Sequence, residues 1–382
     1  MRFEISKVLD AIEGRVCVDP SLVRAVVDLA EIIRYADLDG GRPASMLRLG
    51  ITIDALGRQL EEDGVQVYAV VHRGVLSDGD LTSNERMVVR RWADDGLVEV
   101  LNNPTERVLE VADLLGLPVL SRQRFDGMRG RYPWVAEGPG RLLAPISGPN
   151  GPTLKARFGN DYPTAIGPSP AGAKVLARLW RCPEPGCALF GSGGGGAFAD
   201  LARVERKPAA QAPPSLRTGT PTCPRHDHRL TDGGPRPRVE VLAVRIGGQV
   251  RQRFVVSPDQ PVIVGRAPEQ PEGIRLGQWL NDEARRWISR NHVRFELRGN
   301  ELVAQDVSTN GSGVRPGGSM AETERVPLGN QQSRVLASKD FVELYPGVQV
   351  GRAAGLASGG GFNPSSVMAE APTMAMRLPK QI

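Results

Sequence analysis

Gly265-Arg266, then Ser289-Arg290-Asn291-His292, then Asp306-Val307-Ser308-Thr309-Asn310-Gly311 follow one another in the last third of this 382-residue chain. Each stands where a short apolar run gives way to turn-forming residues. Around them Val239–Ile246, Val262–Val264, His292–Leu297 and Leu302–Ala304 alternate or cluster apolar side chains over strand length, mostly with Gly, Pro or Asn near their ends. A lone Gly-Arg or Asn-Gly is only a turn signal. Three such elements in fixed order, each at a strand-to-loop boundary, form a pattern.

That pattern resembles the forkhead-associated (FHA) domain, a β-sandwich that binds phosphothreonine peptides. The resemblance implies that Arg266 and Ser289 hold the phosphate, that Arg290 is an auxiliary contact, and that Thr309 and Asn310 hold the peptide backbone. Gly265, His292 and Gly311 would be architectural. The chemistry suits the residue types: a phosphoryl group carries about −1.5 to −2 charges and three acceptor oxygens, so its receptor needs a guanidinium, a hydroxyl and amide donors converging from separate loops. Recognition on such a scaffold sits in loops. The 22 residues between Arg266 and Ser289, including Trp279, Trp287 and Asp282–Arg286, read as an enlarged loop that either shapes selectivity or covers the sandwich edge.

The length favours two or three domains, and 40% hydrophobic composition supports real cores. Gly and Pro gather in stretches that read as linkers. A net charge of +5 suits nucleic acid or acidic phosphopeptides and chooses neither. No apolar run reaches bilayer length, and Met1–Lys7 lacks a signal peptide's apolar core, so a cytoplasmic protein without membrane partners is expected. Only six of the 48 basic residues are Lys, and this Arg, Ala and Gly bias suits a GC-rich bacterial genome.

Residues 1–145 read as alternating helix and strand. Pro20–Tyr35 and Ala44–Glu62 have helical periodicity, Val65–Val71 is a buried strand, Ser83–Asp95 a helix with Ser83 as N-cap, Val98–Leu101 a strand, Thr105–Leu115 a helix and Pro118–Leu120 a strand. The expected fold is α/β with a mainly parallel sheet. The order of Val16–Ser21, Val65–Val71, Thr105–Leu115, Leu117–Phe125 and Tyr132–Trp134 resembles the NYN/PIN-type ribonuclease family. The resemblance implies carboxylates clustered at strand ends around Mg²⁺ or Mn²⁺. Here Asp19 matches, Leu22 stands where the family has Asn, the acidic pair becomes Thr105-Glu106, and the Ser-Asn-Asp triplet becomes Ser121-Arg122-Gln123. Asp19 and Glu106 alone give too little charge, and Arg107 and Arg122 would oppose a cation. The expectation is an inactive scaffold, in which Asp19 caps a helix ahead of Pro20 and Glu106 complements a helix dipole. Arg122, Arg124, Arg129 and Arg131 are candidate RNA contacts or simply solvated.

Three of the four cysteines fall in the middle. Cys182-Pro-Glu-Pro-Gly-Cys187 and Cys223-Pro-Arg-His226 are two short ligand pairs on turns, suited to a structural zinc ion, with His226 preferred over His228 for its Cys-x-x-His spacing. The alternative is a flexible linker with free thiols. Cys17, in an apolar run, is expected in the core. The resulting layout is an α/β domain (1–145), a linker (146–175), a zinc-ribbon-like segment (176–235) with a Gly/Pro-rich insertion (191–221), the FHA sandwich (238–352) and a disordered tail (353–382) in which Thr373 is a candidate phosphorylation site. Two functions remain open: a phosphothreonine-dependent adaptor in bacterial Ser/Thr kinase signalling, not an enzyme, or a metal-dependent ribonuclease with Asp19 and Glu106 as its catalytic carboxylates, recruited through its FHA domain.

Overall fold

The computed structural model describes residues 2–138, 140–158, 167–191, 211–318 and 325–353. The Thr373 reading and most of the Gly/Pro-rich insertion lie outside these residues. No helix among them is long and apolar enough to cross a membrane.

The first unit is a six-stranded sheet in the order β3-β2-β1-β4-β5-β6, formed by β1 (Val23–Asp28), β2 (Gln66–His72), β3 (Glu99–Leu101), β4 (Val119–Leu120), β5 (Leu142–Ile146) and β6 (Thr153–Ala156). The first five strands pair in parallel and β6 closes the edge antiparallel. The helices are α1 (Arg2–Glu13), the short α2 (Leu29–Ile32), α3 (Leu47–Leu60), α4 (Ser83–Asp94), α5 (Pro104–Leu115) and α6 (Trp134–Glu137).

Pro20–Tyr35 is not one helix: Val23–Asp28 is the central strand. Ala25 and Val27 pack into the core on one face, and Val23 and Val26 into the core on the other. A parallel strand buried on both faces reads as a continuous apolar run, which helical periodicity also fits, and the β-branched content is what separates them. The helix begins only at Leu29, where the Asp28 carboxylate accepts the Ala30 and Glu31 N–H groups. The α4 N-cap is Thr82 instead of Ser83, in a capping box with Glu85. The unit also runs past residue 145, through β5 and β6, and the expected linker contains β6 and α7 (Pro170–Leu176).

The cysteine-bearing segment carries β7 (Arg178–Arg181), β8 (Ser215–Arg217), β9 (Thr220–Thr222) and β10 (Thr231–Pro235), with β7 paired to β10 and β8 to β9. It is packed on the α5 side of the sheet: Cys182, Cys187, Phe190, Ala212, Cys223 and Leu230 share one buried core with Val26, Tyr68, Val108 and Val111. Buried Arg107 locks it there. Its guanidinium pairs with Glu99 at 2.9 Å and Glu110 at 2.7 Å, and donates to the carbonyls of Pro213 at 2.6 Å and Pro214 at 3.1 Å.

The last unit is a sandwich of two sheets. One has the order β12-β11-β21-β20-β17-β18, from β11 (Glu240–Ile246), β12 (Gln249–Val256), β17 (Ser312–Arg315), β18 (Val326–Leu328), β20 (Phe341–Tyr345) and β21 (Val348–Arg352). The other has the order β14-β13-β15-β16-β19, from β13 (Val262–Gly265), β14 (Ile274–Arg275), β15 (Val293–Arg298), β16 (Glu301–Asp306) and β19 (Ser333–Val335). Pairing is antiparallel except between β13 and β14. Leu242, Phe254, Val264, Phe295, Ala304 and Val342 fill the space between the sheets. The residue 61–64 turn of the first unit meets β12: Asp63 N donates to the Val250 carbonyl at 2.8 Å, and buried Glu62 pairs with Arg253 at 2.6 Å.

Candidate functional site

Three strand ends build one end of the sandwich. At the end of β13, a Cβ on Gly265 would lie 2.0 Å from the Arg290 carbonyl oxygen, so only glycine allows this approach. The next residue is thereby fixed: Arg266 N donates to the Ser289 carbonyl at 3.0 Å, and its half-buried side chain donates from Nη1 to the Arg285 carbonyl at 3.1 Å.

The second loop precedes β15 and is organised by His292, which is fully buried. Its Nδ1 accepts the Ser289 N–H at 3.0 Å, and its carbonyl accepts the Val307 N–H at 2.9 Å, tying the second loop to the third. Burial pushes the imidazole pKa down to about 4, against the pull of nearby Asp306. The third loop follows β16 and turns on the buried Asp306 carboxylate, which accepts the N–H and Oγ–H of Ser308, both at 2.9 Å, and the Ser312 hydroxyl. Ser308 Oγ accepts the Gly311 N–H at 2.8 Å, and Gly311 has φ +78°, a conformation that favours glycine.

These scaffolds bring the loops together. Thr309 N donates to Ser289 Oγ at 3.1 Å, and Asn310 Nδ2 donates to the Trp287 carbonyl at 2.7 Å. Thr309, Asn310 and Arg290 are exposed, and Arg290 has no ion pair among the described residues. All five residues expected to contact a phosphopeptide thus lie on three adjoining loops, while Gly265, His292 and Gly311 have structural roles. Sequence reasoning placed Asp306 and Ser308 in the third element without giving them a role, although an Asp-x-Ser turn before the Asn-Gly step is their signal.

The metal candidates also converge. Cys182, Cys187, Cys223 and His226 each offer a ligand atom, all within 4.8 Å of one another, and the group can hold a metal ion. Cys182 Sγ lies 3.5 Å from His226 Nδ1, Cys223 Sγ lies 3.6 Å from it, and Cys187 Sγ lies 3.8 Å from Cys223 Sγ. The Cys223 thiol hydrogen bond, aided by the Phe190 and Leu189 N–H groups, lowers the Cys187 thiol pKa against the opposing effect of burial. His228 is turned away, 3.7 Å from Glu184.

In the first unit, Asp19 and Glu106 are not brought together. Asp19 precedes β1 at the amino end of the sheet, where it accepts the Ser21 N–H at 2.9 Å in a turn and caps no helix. Glu106 opens α5 at the carboxyl end and pairs with Arg131. Arg107 and Arg122 are not free cations either, because Arg107 is buried among Glu99 and Glu110, and Arg122 pairs with Asp37 at 2.7 Å and stacks on Tyr35. Arg124 and Arg129 both pair with Asp126. Cys17 is half-buried, beside the core and not within it.

The acids that do lie at the carboxyl ends of the central strands are Asp28 and Glu31, which the helical reading of Pro20–Tyr35 concealed. Order reverses between β1 and β4, and Glu31 spans that point, accepting Ser121 Oγ–H at 2.6 Å and Arg122 N–H at 2.8 Å. Burial raises both carboxyl pKa values, that of Glu31 to about 7. Beside them a cleft of about 390 Å³ is lined by Ala30, Arg34, His72, Gly74, Val75 and Asp78.

No family model and no curated protein matches the chain. Solved structures do match. The FHA domain of human APLF, in complex with an XRCC1 bisphospho peptide, is 17% identical, with 29% of this chain and 96% of that chain covered and a TM-score of 0.22. The FHA domain of CT664 from Chlamydia trachomatis is 21% identical, with 30% and 94% covered and a TM-score of 0.22. The FhaA FHA domain, complexed with the intracellular domain of Rv3910, is 22% identical, with 30% and 97% covered and a TM-score of 0.21. Likenesses of this size carry no functional weight.

Proposed function

We propose that this chain is a phosphothreonine-dependent protein-binding adaptor, whose FHA-type sandwich docks on a protein phosphorylated by a Ser/Thr kinase in the bacterial cytoplasm. The observation that carries the reading is the three-loop junction: Arg266 beside Ser289, Ser289 Oγ bonded to Thr309 N, and exposed Arg290 and Asn310 on its rim. A guanidinium, a hydroxyl and an amide on separate rigid loops match a dianion's acceptor oxygens. The test is calorimetric titration with a phosphothreonine peptide pool and its unphosphorylated counterpart. Binding only to the phosphorylated pool, weakened in Arg266→Ala by about 1.5 to 3 kcal/mol, is expected. Equal binding of both pools defeats the reading.

The metal of the Cys₃His group is zinc on this reading. With Zn–S near 2.3 Å and Zn–N near 2.0 to 2.1 Å, a tetrahedron has S–S edges of about 3.8 Å and S–N edges of about 3.5 to 3.6 Å. The separations of 3.8, 3.5 and 3.6 Å fit it. Four protein ligands leave no open position, so the role is structural. Its partner, the α/β unit, serves as a second interaction platform. RNA is a less favoured partner, because the Arg side chains nearest the sheet's carboxyl end are ion-paired.

One observation favours a second reading, a Mg²⁺- or Mn²⁺-dependent ribonuclease: Asp28 and Glu31 stand together at the switch point of the parallel sheet. Against it, both Glu31 oxygens are already occupied by Ser121 and Arg122. Cleavage of an RNA pool that requires the cation and disappears in Asp28→Asn decides for it.

A further inference from the structure

The chain between Arg266 and Ser289 returns to Arg266 before it leaves for the second loop. Val264 pairs with Ile274 and Gly265 with Arg275 in the parallel β13–β14 pair, and the contact then runs on: Leu276 N donates to the Gly265 carbonyl at 2.9 Å, and Gly277 N to the Arg266 carbonyl at 3.1 Å. A Cβ on Gly277 would lie 2.7 Å from that Arg266 oxygen, so this approach needs glycine. Helix α8 (Asp282–Trp287) follows, capped by Asn281, whose side chain accepts the Ala284 N–H at 2.8 Å. Leu280, Ala284 and Ile288, spaced by four residues, sink into the sandwich core and fix the helix on it.

The last turn of a helix presents carbonyls that have no partner within it and that attract cations and amide donors. In α8 two of them are taken by residues of the ligand loops. The Arg285 carbonyl accepts Arg266 Nη1 at 3.1 Å, and the Trp287 carbonyl accepts Asn310 Nδ2 at 2.7 Å. Arg285 also closes a ring, because its own Nη2 donates to the Gly277 carbonyl at 2.6 Å. Arg266 is thus gripped at its backbone by Gly277 and at its guanidinium by Arg285, and these two are tied to each other. The bond to Arg285 uses one guanidinium N–H and leaves the others for a dianion.

We infer that the α8 insertion is the positioning element of the phosphate site: Gly277 and Arg285 set the Arg266 guanidinium before the ligand arrives, and the carboxyl end of α8 does the same for the Asn310 amide. This rests on the phosphothreonine reading. The test is calorimetric titration of the full-length protein with the phosphothreonine peptide pool, arranged as a double-mutant cycle. Arg285→Ala and, separately, Gly277→Ala are expected to bind roughly five- to ten-fold more weakly than wild type, and Arg285→Lys, whose ammonium can still reach the Gly277 carbonyl, to stay within about two-fold. In an Arg266→Ala background, Arg285→Ala is expected to cost no more than about two-fold, because no guanidinium is left to place. A loss of stability common to both backgrounds cancels in this comparison. An equal loss in the two backgrounds, or wild-type affinity in both Arg285→Ala and Gly277→Ala, overturns the positioning role and leaves the phosphate reading standing. Failure of the wild type to bind the pool overturns both.

Discussion

Ser289 Oγ accepts the backbone N–H of Thr309 at 3.1 Å, which joins a loop of one sheet edge to a loop twenty residues later without any side chain of Thr309 taking part. The hydroxyl still has its proton to give, so Ser289 can donate outward while it fixes the third loop. A phosphate at this junction would meet a hydroxyl oxygen whose position is set before the ligand arrives.

Gly265→Ala is expected to destabilise the chain by about 2 to 3 kcal/mol, because the new methyl would press on the Arg290 carbonyl oxygen 2.0 Å away. The backbone it displaces also presents Arg266 and Ser289, so phosphopeptide affinity falls with it. Urea unfolding and calorimetry on the same preparation read both effects.

His292 titrates in the folded state at about 4, below its ordinary value of 6.5. For a lowered pKa, the neutral form is favoured by folding, and stability is complete above 6.5 and is lost as pH falls toward 4. The loss is on the order of 3 kcal/mol, measurable as a falling urea midpoint between those pH values. His292→Gln removes this slope.

Glu31 has the opposite sign. Its carboxyl pKa rises from 4.5 to about 7, chiefly through burial, so the protonated form is favoured by folding. Its contribution is present below pH 4.5 and is lost as pH rises through 7, by on the order of 2 to 3 kcal/mol. Glu31→Gln is expected to be more stable than wild type at pH 8 and to show a flatter pH profile over this window.

On the zinc reading, a chelator is expected to release one zinc ion per chain, Cys223→Ser is expected to hold none, and both are expected to lower the melting temperature by roughly 5 °C or more. Elemental analysis and differential scanning calorimetry check the two outcomes. His228→Ala is expected to change neither, since His228 lies by Glu184 and outside the ligand set.

The sandwich was legible because its signals are local. Gly265, Asn310-Gly311 and the strand-length runs each require a particular backbone, and each lies where that backbone occurs. The cysteine pairs were legible for the same reason. The first unit was legible in outline only. A central parallel strand such as Val23–Asp28 is apolar on both faces, and its run also satisfies a helical period, so the acid at its end was hidden inside a supposed helix. Asp19 and Glu106 seemed comparable because sequence order does not say which end of a sheet a residue occupies. What Arg107 does could not be read at all, since its partners Pro213 and Pro214 lie more than a hundred positions away.

That last arrangement bears on how the chain can be divided in the laboratory. Cutting after residue 145 or 175 would strand Arg107 with its two carboxylates, strip the cover from Val108, Val111 and Tyr68, and leave an apolar wall facing water. A soluble fragment of the amino-terminal portion should therefore extend to about Pro235, the end of β10, and an attempt to express the sheet alone should yield aggregates.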